Sequence, residues 1–184
     1  MKALVLYDSL GGNTEKVAAC IEKALSDSGV AADRVKCGSD TDVDFYEYDL
    51  VFMGSPSISW LPTKPMMEFA SAKTKAYSAS GDVAPSCPVR PGKFAVCFCT
   101  YAGPHIGADE ATPVTMWLRA FLMHLGFSVL DQWLTVGEIH AKPEMNKVGR
   151  LGDITGRPND ADLAEIENKV KGLLAGLSHF TDTR

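Results

Sequence analysis

Five short apolar runs alternate with four segments of helical period along this chain, and that alternation restricts it to a parallel sheet covered by helices on both faces. The runs are Lys2–Tyr7, a weak second one over Ala32–Cys37, then Leu50–Gly54, Lys93–Thr100 and Phe127–Val136, the last expected to bend near Asp131 and Gln132. Between the first two, Thr14–Ser28 sets Val17, Ala18, Ile21, Ala24 and Leu25 at helical spacing, with Gly29 as a stop. A second helix is expected over Pro65–Tyr77. A third starts at Pro113, behind Thr112 as its cap, and runs through Trp117, Leu118 and Phe121 to Gly126. Ala161–Leu177 closes the series through Leu163, Ile166, Val170 and Leu174. The expected fold class is α/β, a doubly wound three-layer sandwich around a five-stranded parallel sheet, and such sheets bind ligands beyond the carboxyl ends of their strands.

At 184 residues the chain suits one domain over 1–184, with irregular excursions at about 78–92 and 138–158 that could form a lid or a contact in a homo-oligomer. The net charge of −5 offers no basic excess to displace counterions, so nucleic acid is excluded as a partner. The longest apolar run, Phe94–Cys99, is six residues against about 20 needed to cross a bilayer, which excludes a membrane span. Ala3–Leu6 behind Lys2 is too short for a secretory leader and runs into Asp8, so it reads as the first strand of a cytoplasmic protein. The five cysteines contain no CxxC pair, and no metal site is expected. Five acids and no base fall between Asp40 and Asp49, which reads as a solvated loop or short helix, or as an acidic docking surface.

The turn after the first strand carries the most chemistry. In Asp8-Ser9-Leu10-Gly11-Gly12-Asn13-Thr14 the glycines let the backbone expose its N–H groups, and Ser9, Asn13 and Thr14 add donors at the positive end of a helix. That is a site for a compact dianion. The GxxxxGK[ST] and GxGxxG spacings are both absent, so a monophosphate fits better than a pyrophosphate.

Ser9-Leu10-Gly11-Gly12-Asn13-Thr14 resembles the first loop of the flavodoxin family, roughly [ST]-x-T-G-x-T, which holds the phosphate of FMN; here Gly11 stands where the family usually has threonine. The resemblance implies a flavodoxin-like sheet in order 2-1-3-4-5 with FMN as cofactor. It also implies that Pro56, Ser57, Ile58, Ser59 and Trp60, after the third strand, belong to a ring-binding loop in which Trp60 stacks on the flavin. The alternative for Trp60 is a plug beneath that loop. After the fourth strand, Thr100, Tyr101, Ala102, Gly103 and His105 would supply a second aromatic and backbone groups for the pyrimidine edge. No role is assigned to His124, His140 or His179, no catalytic residue is named, and Arg150 and Arg157, spaced around Gly152 and Gly156, read as part of a solvated turn, with a ligand or partner surface between them as the alternative. The implied function is electron transfer to a redox partner protein or small-molecule acceptor. The alternative is an NAD(P)H-dependent FMN or quinone reductase. Many carrier flavodoxins have a glycine in the second loop whose carbonyl turns on reduction, and no glycine lies between Ser55 and Pro62 here.

Overall fold

In the computed structural model, which describes residues 1–181, five strands form one all-parallel sheet. They are β1 (Lys2–Tyr7), β2 (Ala31–Lys36), β3 (Leu50–Pro56), β4 (Phe94–Tyr101) and β5 (Ser128–Val136), in the order β2-β1-β3-β4-β5. The helices are α1 (Asn13–Asp27), α2 (Lys64–Ser80), α3 (Thr112–His124) and α4 (Asp160–Thr181). Side chains alternate across a strand, so each central strand feeds two cores. Ala3, Val5 and Tyr7 of β1 join Phe52, Phe98 and Trp133 beneath α1 and α4. Leu4 and Leu6 join Met53, Cys97 and Cys99 beneath α2 and α3. Burial pushes the Cys97 thiol up to about 12, so this cysteine acts as a small hydrophobe. At the edge, β2 carries Asp33, Arg34 and Lys36, charges that blunt an open strand. Among the described residues no helix is long and apolar enough to cross a membrane.

One local feature differs from the pattern-based expectation and two give it detail. Thr112 is the first residue of α3 and not its cap; Ala111 takes the cap position, and the Thr112 hydroxyl donates to Ala108 O at 3.4 Å. The irregularity in β5 is a bulge at Leu130, since Ala95 pairs with Val129 and Val96 with Asp131. The acidic stretch 40–49 holds a short helix over Phe45–Glu47, as one of its readings expects, but it is amphipathic: Val43, Phe45 and Tyr48 are buried, and the Phe45 N–H donates to Tyr77 Oη at 2.8 Å. Its acids are largely engaged within the chain, Asp42 with Lys73, Glu47 with Lys2, and Asp49 with Lys93.

Gly54 fixes the sheet at the point where the site begins. A Cβ there would lie 2.2 Å from the Phe98 ring on the neighbouring strand, so the aromatic occupies the volume that any side chain would need. Gly54→Ala is expected to cost at least about 2 kcal/mol of stability, read as a lowered urea midpoint; an unchanged midpoint would mean that the two strands do not pack this closely.

Candidate functional site

Past the carboxyl ends of β1, β3, β4 and β5 lies a crevice of about 530 Å³. Just before the first loop, Asp8 is buried and both of its carboxylate oxygens accept hydrogen bonds. One carboxylate oxygen accepts from the Ser9 N–H at 2.7 Å, and the other accepts from the Thr63 hydroxyl at 2.5 Å. The Thr63 N–H in turn donates to Ser55 Oγ at 3.0 Å, so the first loop and the loop after β3 form one hydrogen-bonded unit.

Ser9 Oγ accepts from the Gly12 N–H at 3.1 Å, and Gly12 takes φ +91°, a conformation that costs glycine nothing. Lys16 N–H is the first amide of α1 to bond back into the helix, on Gly12 O at 2.9 Å. The amides of Asn13, Thr14 and Glu15 precede it and find no backbone carbonyl among the described residues, and no side chain caps the helix. Free N–H groups and the positive end of the helix therefore face the crevice together. Thr14 is buried, sharing a 2.7 Å hydroxyl contact with Thr100 at the end of β4.

The loop after β4 is equally constrained. Glu110 Oε1 accepts from the N–H groups of His105 and Ile106 at 2.9 and 3.1 Å, and the Ser57 hydroxyl donates to Glu110 O at 2.6 Å. Gly103, at φ +58°, accepts from Gly107 N–H at 3.1 Å, and a Cβ at Gly103 would strike Gly107 O at 2.8 Å. Tyr101 is partly buried on the wall, and that burial raises its phenol above the ordinary range while Arg157 opposes the shift.

No protein-family model and no curated protein matches the chain. Among solved structures it is similar to a flavodoxin from the domain Archaea, at 21% identity and TM-score 0.60, covering 93% of this chain and 99% of that one. It is also similar to the flavodoxin of Streptococcus pneumonia TIGR4, at 17% identity and TM-score 0.66, covering 96% and 99%. The rubredoxin oxygen:oxidoreductase of Desulfovibrio gigas matches 97% of this chain over 36% of its own, at 18% identity and TM-score 0.59. The chain has the flavodoxin fold.

Within that flavodoxin fold, ten of the fifteen candidate residues line the crevice. They are Ser9, Gly11, Asn13, Thr14, Pro56, Ser57, Ile58, Thr100, Tyr101 and Ala102. Gly12, Ser59, Trp60, Gly103 and His105 stand off the wall. For Trp60 the cause is a tight turn: Ile58 and Leu61 exchange backbone bonds at 2.9 and 3.1 Å, leaving Ser59 and Trp60 at its tip. Trp60 is 57% exposed at the lip, so it neither plugs the core nor lines the cavity.

A fourth wall comes from the segment after β5, where Gly137, Glu138, Ile139, His140 and Ala141 face the crevice. Asn13 Nδ2 donates to Glu138 O at 2.8 Å, and Gly137 has no room for a Cβ, which would sit 2.6 Å from Asn13 Nδ2. A usable signal was the rule that ligands gather at strand carboxyl ends, which applies to β5 as much as to β1. Arg157 serves structure. Its guanidinium grips Asp162 at the start of α4; burial alone would raise that carboxyl, but Arg157 and the Asn159 N–H hold it below the usual carboxylate range.

Ser59 and Trp60 both take left-handed backbone, at φ +50° and +65°, which costs about 1 kcal/mol or more for each non-glycine residue. Ser59→Gly is expected to stabilise the protein by roughly 0.5–1 kcal/mol, seen as a rise of a few degrees in Tm. A fall in Tm would show that the turn does not hold this conformation.

Proposed function

We propose that the crevice binds FMN, with its phosphate at the amino end of α1, and that the chain works as a flavodoxin-like electron carrier for a redox partner. One observation carries this reading: the unbonded amides at the start of α1 open directly into a cavity whose far wall holds Tyr101. The volume is in the range of small-molecule sites, and the lining combines apolar groups with a few convergent donors. Likeness to free-standing flavodoxins over nearly their whole length supports the same assignment.

Ser9, Gly12, Asn13 and Thr14 would hold the phosphate, with backbone N–H groups as principal donors. Ile58 and Tyr101 would flank the ring, and the backbone near Ala102 would meet its polar edge. Trp60 would stand at the rim rather than over the ring, because its turn is closed on both sides by backbone bonds. FMN supplies one- and two-electron chemistry when bound, while these residues supply position and exclude water.

A second reading, an NAD(P)H-dependent FMN or quinone reductase, rests on the same turn. Ile58 N–H and Leu61 N–H are both committed to carbonyls within it, and no glycine between Ser55 and Pro62 eases a peptide rotation.

Purified protein incubated with FMN is expected to retain it through gel filtration and to show flavin absorption. NAD(P)H added anaerobically should leave that spectrum unchanged while dithionite reduces it. Rapid bleaching by NAD(P)H would favour the reductase, and a colourless protein would end both readings. Tyr101→Ala is expected to weaken FMN about tenfold through lost ring contact, and Trp60→Ala by less than about threefold. The reverse ranking in a fluorescence titration would move the ring to the Trp60 side.

A further inference from the structure

We infer that His140 is a ligand for the phosphate group, the single residue on the crevice wall able to bring it a positive charge. The inference rests on the FMN reading above and adds to it a residue from outside the first three loops.

Four observations converge on this side chain. Its ring lies over Gly11: a Cβ at Gly11 would approach His140 Cδ2 to 2.8 Å, so the missing side chain at position 11 is replaced in space by an imidazole reaching in from the segment after β5. Both ring nitrogens face acceptors, with Nδ1 3.4 Å from Glu138 Oε1 and Nε2 3.3 Å from Asn13 Oδ1. The Asn13 amide is oriented by its Nδ2 donating to Glu138 O, so its oxygen is the atom presented to the ring. The Nε2 contact is within hydrogen-bond reach of an acceptor oxygen, and the Nδ1 contact sets the ring beside a carboxylate, surroundings that suit an imidazole acting as a donor.

The charge count is the third observation. Of the residues that line the crevice, Glu110 and Glu138 are acids, His140 is the one base, and no lysine or arginine is present among them. The fourth is the rigidity of the arm. Asn146, buried at 2%, accepts from Ile139 N–H at 2.7 Å and donates to Ile139 O at 3.3 Å, while Glu138 Oε2 accepts from Gly156 N–H at 2.9 Å. His140 is thus delivered by a braced strap, yet its side chain is 44% exposed and open to a ligand. The 3.3 Å bond from Nε2 to Asn13 Oδ1 is long, and a phosphate oxygen at the α1 amino end is a stronger acceptor for that proton.

The test compares FMN with riboflavin, which shares the ring and lacks the phosphate. Dissociation constants from flavin fluorescence quenching should show His140→Ala weakening FMN about tenfold and riboflavin less than twofold, with His140→Gln in between. Gly11→Ala, which pushes the ring away, should produce the same FMN-selective loss and cost nothing further in the His140→Ala background. Equal losses for both flavins would make His140 a steric wall only, and unchanged FMN affinity would remove it from the site; either result overturns the inference. Should the wild type take up neither flavin, the FMN reading fails separately. Inorganic phosphate, titrated against the amide signals of Asn13 and Thr14, then decides the question. Tighter binding to wild type than to His140→Ala supports the ligand role, and equal or absent binding overturns it.

Discussion

Thr14 and Thr100 share a hydroxyl contact of 2.7 Å in a place closed to water, and this contact pins the amino end of α1 to the end of β4. A buried hydroxyl without a partner is expensive, so neither threonine can leave without stranding the other. The free amides of α1 are consequently held at the carboxyl edge of the sheet. Asp8, with Thr63 and Ser55 behind it, ties the loop after β3 to the same point, and Asn13 ties in the segment after β5. Four loops from distant parts of the chain thus share one rigid frame, so a ligand would meet donors already in place and would spend little on ordering them.

Much of this was legible in the sequence, for a physical reason. A strand buried on both faces must be apolar throughout, and a helix packed on one face must be apolar at helical period, so the central strands and all four helices announced themselves. The first loop was legible because glycines and hydroxyl residues at a strand-to-helix turn have few other uses. The fourth wall was not. Residues 138–158 carry no period, and their order comes from non-local ties such as Asn146 to Ile139 and Asn13 to Glu138, which leave no mark in local composition. Phe45 was hidden in a different way: five surrounding acids suggest solvent, whereas three buried residues among them reach the core and three of the acids, Asp42, Glu47 and Asp49, pair with lysines.

Trp60 illustrates a conflict between two local rules. An aromatic beside prolines in a loop at the sheet edge suggests a stacking platform, but a two-residue reversal demands left-handed backbone at its centre, where Gly or Asn is the usual choice. Ser59 and Trp60 accept that conformation because the Ile58–Leu61 bonds close the turn around them. Tertiary context has overridden turn chemistry, and the ring ends at the lip with Ile58 and Leu61, themselves 44% and 45% exposed. Strain held in an exposed apolar lip is tolerated in natural proteins chiefly where the surrounding structure over-determines it.

The electrostatics of the crevice turn on how its acids are used. A chain of net charge −5 with two carboxylates on the wall would repel a dianion if those carboxylates were free. They are not. Glu110 spends one oxygen on two backbone amides, and Glu138 divides its oxygens between the Gly156 amide and the His140 ring. These contacts fix each acid's position against the wall, while the α1 amides project positive potential inward with no backbone carbonyl bonded to them. The local field at the α1 amino end therefore carries the contribution of the helix dipole as well as that of the net charge of the protein. Such a field is short-ranged: it would act on a phosphate only once one is docked at the α1 amino end, in a cradle whose lining holds no lysine or arginine.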